Sequence, residues 1–190
     1  MPADGFYDFS KGFGSQAVAP PMTLISDITS SLRITTVNIY NCFSNEYDNY
    51  KIIGNLRQWG SVGGTLAVRF IRKNGQTFTS TLYDYQVIYA SSTGGNFSIS
   101  NGITQSLTRL GYPNGNGIVS FQTDVINPAV ERRTQLRTDF LGKGTTPTEW
   151  SREWTYSVVR STEKFTGIQF LSSSGTTLTG RFSIYGYRNT

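Results

Sequence analysis

The sequence has no histidine among its 190 residues and a single cysteine, Cys42. Without histidine, the commonest general base and the commonest transition-metal ligand are both missing, and Ser-His-Asp and Cys-His catalytic arrangements cannot be built. With one thiol, neither an internal disulfide nor a multi-thiolate zinc site can form; Cys42 reads as a buried apolar filler rather than a nucleophile. No apolar stretch approaches the roughly 20 residues of a membrane span. No basic segment followed by an apolar run opens the chain, so no secretory signal is expected.

Charge is also scarce. Only 15% of residues are Asp, Glu, Lys or Arg, against about 25% in ordinary domains, so Ser, Thr, Asn, Gln and Gly must carry the solvated surface. The net charge of +5 is dispersed, with Arg132-Arg133 and Arg72-Lys73 as its densest points. A nucleic-acid binder gathers such charge on one stripe; here the cations read as strand-edge and turn charges that discourage aggregation, and no nucleic-acid partner is expected. What the chain does have is aromatic area. Twelve Phe, eleven Tyr and three Trp, each able to cover about 150–250 Å², must supply much of the core.

Two regions differ in character. Residues 1–21 carry three glycines, three prolines and the aromatics Phe6, Tyr7, Phe9 and Phe13, with no helical or alternating period, and end on the stiff pair Pro20-Pro21. A disordered tail is one reading. A docking arm is the other, because disordered segments are usually poor in aromatics; Phe6, Tyr7, Phe9 and Phe13 are then its partner-binding residues. From residue 22 to 190 the signals are β. Runs rich in Val, Ile, Thr, Tyr and Phe are separated by Gly/Asn/Ser clusters: Met22–Ile28, Leu32–Asn41, Tyr50–Gln58, Thr65–Lys73, Gln76–Ala90, Gly117–Val125, Arg133–Phe140, Trp154–Arg160, Phe165–Leu171 and Leu178–Tyr187. A change of apolar parity at Thr35-Thr36 predicts a bulge or a bend between two sheets. Asn74-Gly75 predicts a hairpin, and Asn101-Gly102 a further turn. Thr146-Pro147-Thr148-Glu149 fits either a capping box that opens one helical turn, with Trp150 and Trp154 on one face, or a plain loop; Asn127–Thr134 is a second place for a helical turn. Nine or ten strands with frequent turns predict an all-β, jelly-roll-like antiparallel β-sandwich with an extended N-terminal arm.

Reactive constellations are sparse. Gly60–Gly64 lacks the lysine and the following helix of a phosphate cradle and reads as a hairpin loop. Glu46, Asp48, Asp84, Asp124, Glu149 and Glu153 are the acids from which a glycosidase pair could be drawn, and most lie at turns or element ends. Asn45, Glu46, Asp48 and Asn49 crowd one loop with oxygen donors that suit calcium, although Asx-rich loops are ordinary turn chemistry. Trp59, beside the glycine-rich loop, and Trp150 are candidates for stacking on a glycan, with Trp154, Tyr83 and Tyr85 as further aromatics; the alternative is that each seals the core or an interface. Neither a catalytic residue nor a cofactor is expected.

The segment FTGIQFLSSSGTTLTGRFSIYGYR (Phe165–Arg188) resembles an ending common in structural proteins of tailed bacteriophages, where an "ITSI-x-hydrophobic" strand leads through a Ser/Gly turn to "G-x-hydrophobic-x-LYGI". Thr166-Gly167-Ile168-Gln169-Phe170, Ser172-Ser173-Ser174-Gly175 and Gly180–Gly186 carry the likeness. Met22–Ser26, Ile34–Tyr40, Tyr50-Lys51-Ile52-Ile53 and Arg69–Gly75 are similar to the same family's opening strands. Tyr187, where many members have isoleucine or valine, and the long stretch Arg132–Trp154 depart from the pattern. The resemblance implies a small, non-enzymatic jelly roll in a virion, on the capsid or in the tail and fibre apparatus. The expected partners are further copies of the chain, as a homotrimer, and other capsid or tail proteins. A lectin-like module that binds host surface glycans is the alternative.

Overall fold

A computed structural model describes residues 22–60, 64–91, 97–112, 117–143, 150–172 and 176–188. The predicted arm, the centre of the Gly60–Gly64 loop and the Thr146–Glu149 capping box lie outside these residues. The described chain is all-β: β1 (Thr23–Ile34), β2 (Thr36–Ile39), β3 (Asn49–Trp59), β4 (Leu66–Arg72), β5 (Tyr83–Ser91), β6 (Phe97–Gln105), β7 (Thr108–Gly111), β8 (Ile118–Ile126), β9 (Gln135–Lys143), β10 (Trp150–Val159), β11 (Phe165–Ser172) and β12 (Thr177–Tyr187). No helix occurs among the described residues, so none there is long and apolar enough to cross a membrane.

The strands form two antiparallel sheets arranged as a sandwich. The larger has the order β1-β12-β3-β8-β9-β10-β5-β6, the smaller β2-β11-β4-β7. The pairing is nested: β1 pairs with β12 while β2, directly after it, pairs with β11 in the other sheet. The parity change read at Thr35-Thr36 is where the chain switches sheets, with Thr35 in the bend between β1 and β2. An element whose apolar side changes within one residue cannot keep a single sheet at its back.

Alternation sets the core. In β8, Val119, Phe121, Thr123 and Val125 point inward and Ile118, Gln122 and Asp124 outward. The interior is aromatic at one end, where the rings of Phe70 and Phe165 stack at 4.8 Å and Phe43 meets Tyr50 at 4.8 Å. Phe170 of β11 faces Phe182 of β12 at 4.4 Å across the sandwich. Cys42 is buried, as its sequence context suggests; burial pushes its thiol up to about 12.

Several local expectations are corrected. The alternating segments Phe165–Leu171 and Leu178–Tyr187, neighbours in the chain, lie in different sheets. Alternation gives a strand a buried face but does not choose its neighbour, and here the two apolar faces meet through space. β12 sits between β1 and β3. The Asn74-Gly75 turn forms, with Gly75 at φ 80° and its N–H bonded to the Arg72 carbonyl at 2.9 Å, but the hairpin stops after one bridge, Ile71 to Thr77. Phe78 then enters the core against Phe165 at 5.2 Å, and the chain crosses to the larger sheet. Asn101-Gly102 is not a turn but part of β6, where the glycine admits the Tyr85 ring; a Cβ there would lie 2.5 Å from it. Asn127–Thr134 is an irregular turn without a helix. The described residues hold twelve strands against the nine or ten that the runs predict, the four-residue β7 among the additional ones.

Candidate functional site

The residues singled out from sequence are scattered. Phe6, Tyr7, Phe9 and Phe13 lie outside the described residues. Tyr83 is a core residue with no exposure, its hydroxyl accepting from the Phe70 N–H at 3.0 Å and donating to the Phe78 carbonyl at 3.0 Å. It cannot meet a glycan, because its polar tip is consumed by two buried backbone groups. Tyr85 is half-buried over Gly102. Trp59 donates its indole N–H to Thr179 Oγ1 at 3.0 Å, and the guanidinium carbons of Arg33 and Arg57 lie 4.0 and 3.9 Å from its ring. Two cations thus already occupy the π-surface that a sugar would need.

The acids are mostly held by cations. Asp84 pairs with Arg160 at 3.0 Å and Asp124 with Lys51 at 3.0 Å. Glu153, fully buried in β10, accepts from Arg109 Nη2 at 2.6 Å and from the Tyr112 N–H at 2.7 Å, tying β10 to β7 and the segment after it. Burial raises the Glu153 carboxyl above its ordinary range, against the pull of Arg109 and Tyr112. Glu149 lies outside the described residues. In the Asn45–Asn49 loop the Glu46 carbonyl takes the Arg188 Nε–H at 2.7 Å and the Asp48 carbonyl takes the Asn127 N–H at 3.1 Å. Among the described residues no group of three His, Cys, Asp or Glu is placed to hold a metal ion.

One strand breaks the rule that places aromatics inside. β10 reads WSREWTYSVV, and it buries Ser151, Glu153, Thr155, Ser157 and Val159 while Trp150, Arg152, Trp154 and Tyr156 face outward. Trp150 and Trp154 share a face, here through the period of a strand rather than through a helical turn. The buried polar row is satisfied in part by side chains and backbone of its surroundings: Glu153 by Arg109 and Tyr112, Thr155 by the Leu110 carbonyl at 3.2 Å. Next to it, the Thr123 and Thr138 hydroxyls bond each other at 2.9 Å. Because polar residues hold the inner parity, the large aromatics are forced to the outer one.

On the outer face the register aligns these residues in rows. Trp154 lies opposite Asp139 on β9 and Ile88 on β5, and Asp139 opposite Gln122 on β8. One row along, Tyr156 lies opposite Arg137 and Gln86. Arg152 grips Asp139 with two bonds, 3.1 and 2.7 Å, and its guanidinium carbon lies 4.9 Å from the Trp154 ring. Tyr156 is 44% exposed; its hydroxyl donates to Gln135 Oε1 at 2.9 Å, which fixes the ring. Two adjoining depressions mark this face, of about 310 Å³ over Ile88, Trp154 and Tyr156 and about 390 Å³ over Asn55, Ser120 and Leu141, with Gln122 and Asp139 lining both. Such volumes fall at the lower end for small-molecule sites.

Of the sequence candidates, Trp154 and Asp124 line these depressions, and Trp150 faces outward from the same strand as Trp154. Tyr156, Asp139, Arg152, Gln122 and Ile88 were missed. The signal was the pattern of β10 itself, but an alternating strand read alone suggests aromatics in the core, and only the partners of its polar parity reverse that. No protein-family model matches the chain, and no curated protein matches it in sequence.

Proposed function

We propose that the chain is a non-catalytic jelly-roll protein of a tailed-phage virion, a component of the capsid surface or of the tail and fibre apparatus that works by assembling with copies of itself and with neighbouring virion proteins. The observation that carries the reading is strand order. Setting aside β5-β6 and β9-β10, the remaining strands fall into β1-β12-β3-β8 and β2-β11-β4-β7, two groups of four, which supports reading the sandwich as a jelly roll. The four extra strands extend one sheet without disturbing the nested pairing. This agrees with the likeness of the opening and closing strands to phage structural proteins. Both edges of the larger sheet also expose apolar side chains, Leu24 and Leu32 on β1, Ile99 and Ile103 on β6, and edges of this kind call for partners. We take the assembly to be a homotrimer.

Mass spectrometry of purified particles tests the location, and light scattering on the purified full chain tests the oligomer. The chain is expected in stoichiometric amounts in particles and as a trimer in solution; absence from particles would refute the virion reading, and a monomer would refute self-assembly. Deletion of residues 1–21 is expected to leave the domain folded, by circular dichroism, and to abolish attachment to particles. A second reading within the same setting, a lectin-like module that binds host surface glycans, is favoured by the outward aromatic row of β10.

A further inference from the structure

We infer that the outer face of the eight-stranded sheet, along β8, β9, β10 and β5, is a binding groove for an uncharged or weakly charged oligosaccharide. The inference rests on the lectin-like reading and gives it a site that keeps Trp154 of the aromatics that the sequence marks and leaves out Trp59, Tyr83 and Tyr85. Four observations converge on this face. The first is the inversion of β10, which turns Trp154 and Tyr156 outward while burying Glu153 and Thr155. Departures from amphipathic patterning are expected at functional positions, where local rules are broken for a reason.

The second is shape. The two depressions adjoin through Gln122 and Asp139 and run from β3 to β5, four inter-strand steps in the sheet order. At about 4.8 Å per step the groove spans about 19 Å, which suits a short run of linked sugars better than a single one. The third is chemistry. A sugar ring presents an apolar C–H face and a rim of hydroxyls. Trp154, Tyr156 and Ile88 supply apolar surface for the face. Asp139, Arg152 and Gln122 supply fixed acceptors and donors for the rim, and the two-bond clasp between Arg152 and Asp139 holds both groups in place before a ligand arrives.

The fourth is charge. The lining carries Asp124 and Asp139 against Arg137 and Arg152, two of each sign. A polyanion would meet the two carboxylates, and the lining has no excess of positive charge to hold it, so the balance favours a neutral polyol over nucleic acid.

The test uses the full chain on an array of bacterial surface polysaccharides, followed by titration of any bound oligosaccharide with tryptophan fluorescence as the readout. Binding is expected, about tenfold weaker in Tyr156→Ala and in Arg152→Ala, and unchanged in Trp59→Ala. Both groove substitutions are at exposed positions, and circular dichroism checks that the variants fold. No binding across the array, or binding that the groove variants leave intact, would overturn the site. A chain whose oligomer dissociates on Tyr156→Ala would also overturn it, since the face would then be an interface between copies. Glycan binding by a chain that is absent from purified particles would sink the virion reading while leaving the groove standing.

Discussion

Replacing Arg109 by methionine would leave the Glu153 carboxylate without its cation in a position with no solvent exposure. At present Glu153 holds two short bonds, 2.6 Å to Arg109 and 2.7 Å to the Tyr112 N–H, and Arg109 is itself only 21% exposed. Breaking a buried pair by removing one partner costs about 3–5 kcal/mol, because an uncompensated charge remains. For a domain of this size each kcal/mol moves Tm by about 2–4 °C, so Arg109→Met is expected to lower Tm by about 6–20 °C. The loss must depend on pH. Burial already raises the Glu153 carboxyl above its ordinary value of 4.5, with Arg109 opposing the rise. The folded state therefore holds this proton more tightly than the unfolded chain. The group's favourable contribution is complete below 4.5 and is lost as pH climbs through the raised folded value. Removing Arg109 lifts that folded value further and widens the window of decline, so the variant should be hurt less at about pH 4.5 than at about pH 8. Adding Glu153→Leu should restore most of the loss, since a buried ion pair exchanged for apolar side chains is often neutral or stabilising. Urea denaturation of the three proteins at both pH values is the assay. A loss below about 1 kcal/mol, or an equal loss at both pH values, would refute the reasoning.

Other consequences can be checked in the same way. Tyr83→Phe keeps the ring but strands the Phe70 N–H and the Phe78 carbonyl, and should cost about 1–3 kcal/mol in urea melts. Gly54→Ala places a methyl 2.1 Å from the Phe121 ring in the core, and should cost about 1–3 kcal/mol by overpacking. Cys42, buried with its thiol pushed up to about 12, should resist alkylation at about pH 8 until the protein is unfolded; stoichiometric labelling of the folded chain would contradict this. Asp27, whose carboxyl is held low by its hydrogen bond to Arg181, shifts in the opposite sense to Glu153: its contribution is present above its ordinary 3.8 and is lost as pH falls through the lowered folded value. The Asp27→Asn variant should therefore show less acid sensitivity than the parent in pH-dependent melts.

Much of the architecture was legible without coordinates because burial in a strand follows a two-residue period. Val119, Phe121, Thr123 and Val125 declared their face in the sequence, and the parity break at Thr35-Thr36 marked a bulge or a bend, which the fold resolves as the change of sheet. The all-β sandwich follows from such runs and their polar punctuation. Partnership between strands was not legible. Phe165–Ser172 and Thr177–Tyr187 are adjacent in the chain with only a short connection between them, yet pair with β2 and β4 on one side and β1 and β3 on the other. A strand's own residues specify a face; the neighbour that hydrogen-bonds its edge is selected by how the whole chain closes.

The candidate site divides along the same line. Trp150 and Trp154 could be named from their type, and the even spacing of Trp154 and Tyr156 puts them on one side of any strand. Which side meets solvent was decided by Arg109, Tyr112 and Leu110, more than 40 residues earlier in the chain, which arrive to satisfy Glu153 and Thr155 and so make the polar parity the buried one. Asp139, Gln122 and Ile88 carry no mark of their own; they join Trp154 only because the register of four strands sets them in one row. Sequence by itself thus determined the kind of layer and the inward face of most strands, since these depend on residues two apart. Tertiary structure decided the strand order and the groove, since both depend on contacts between segments that the chain separates by tens of residues.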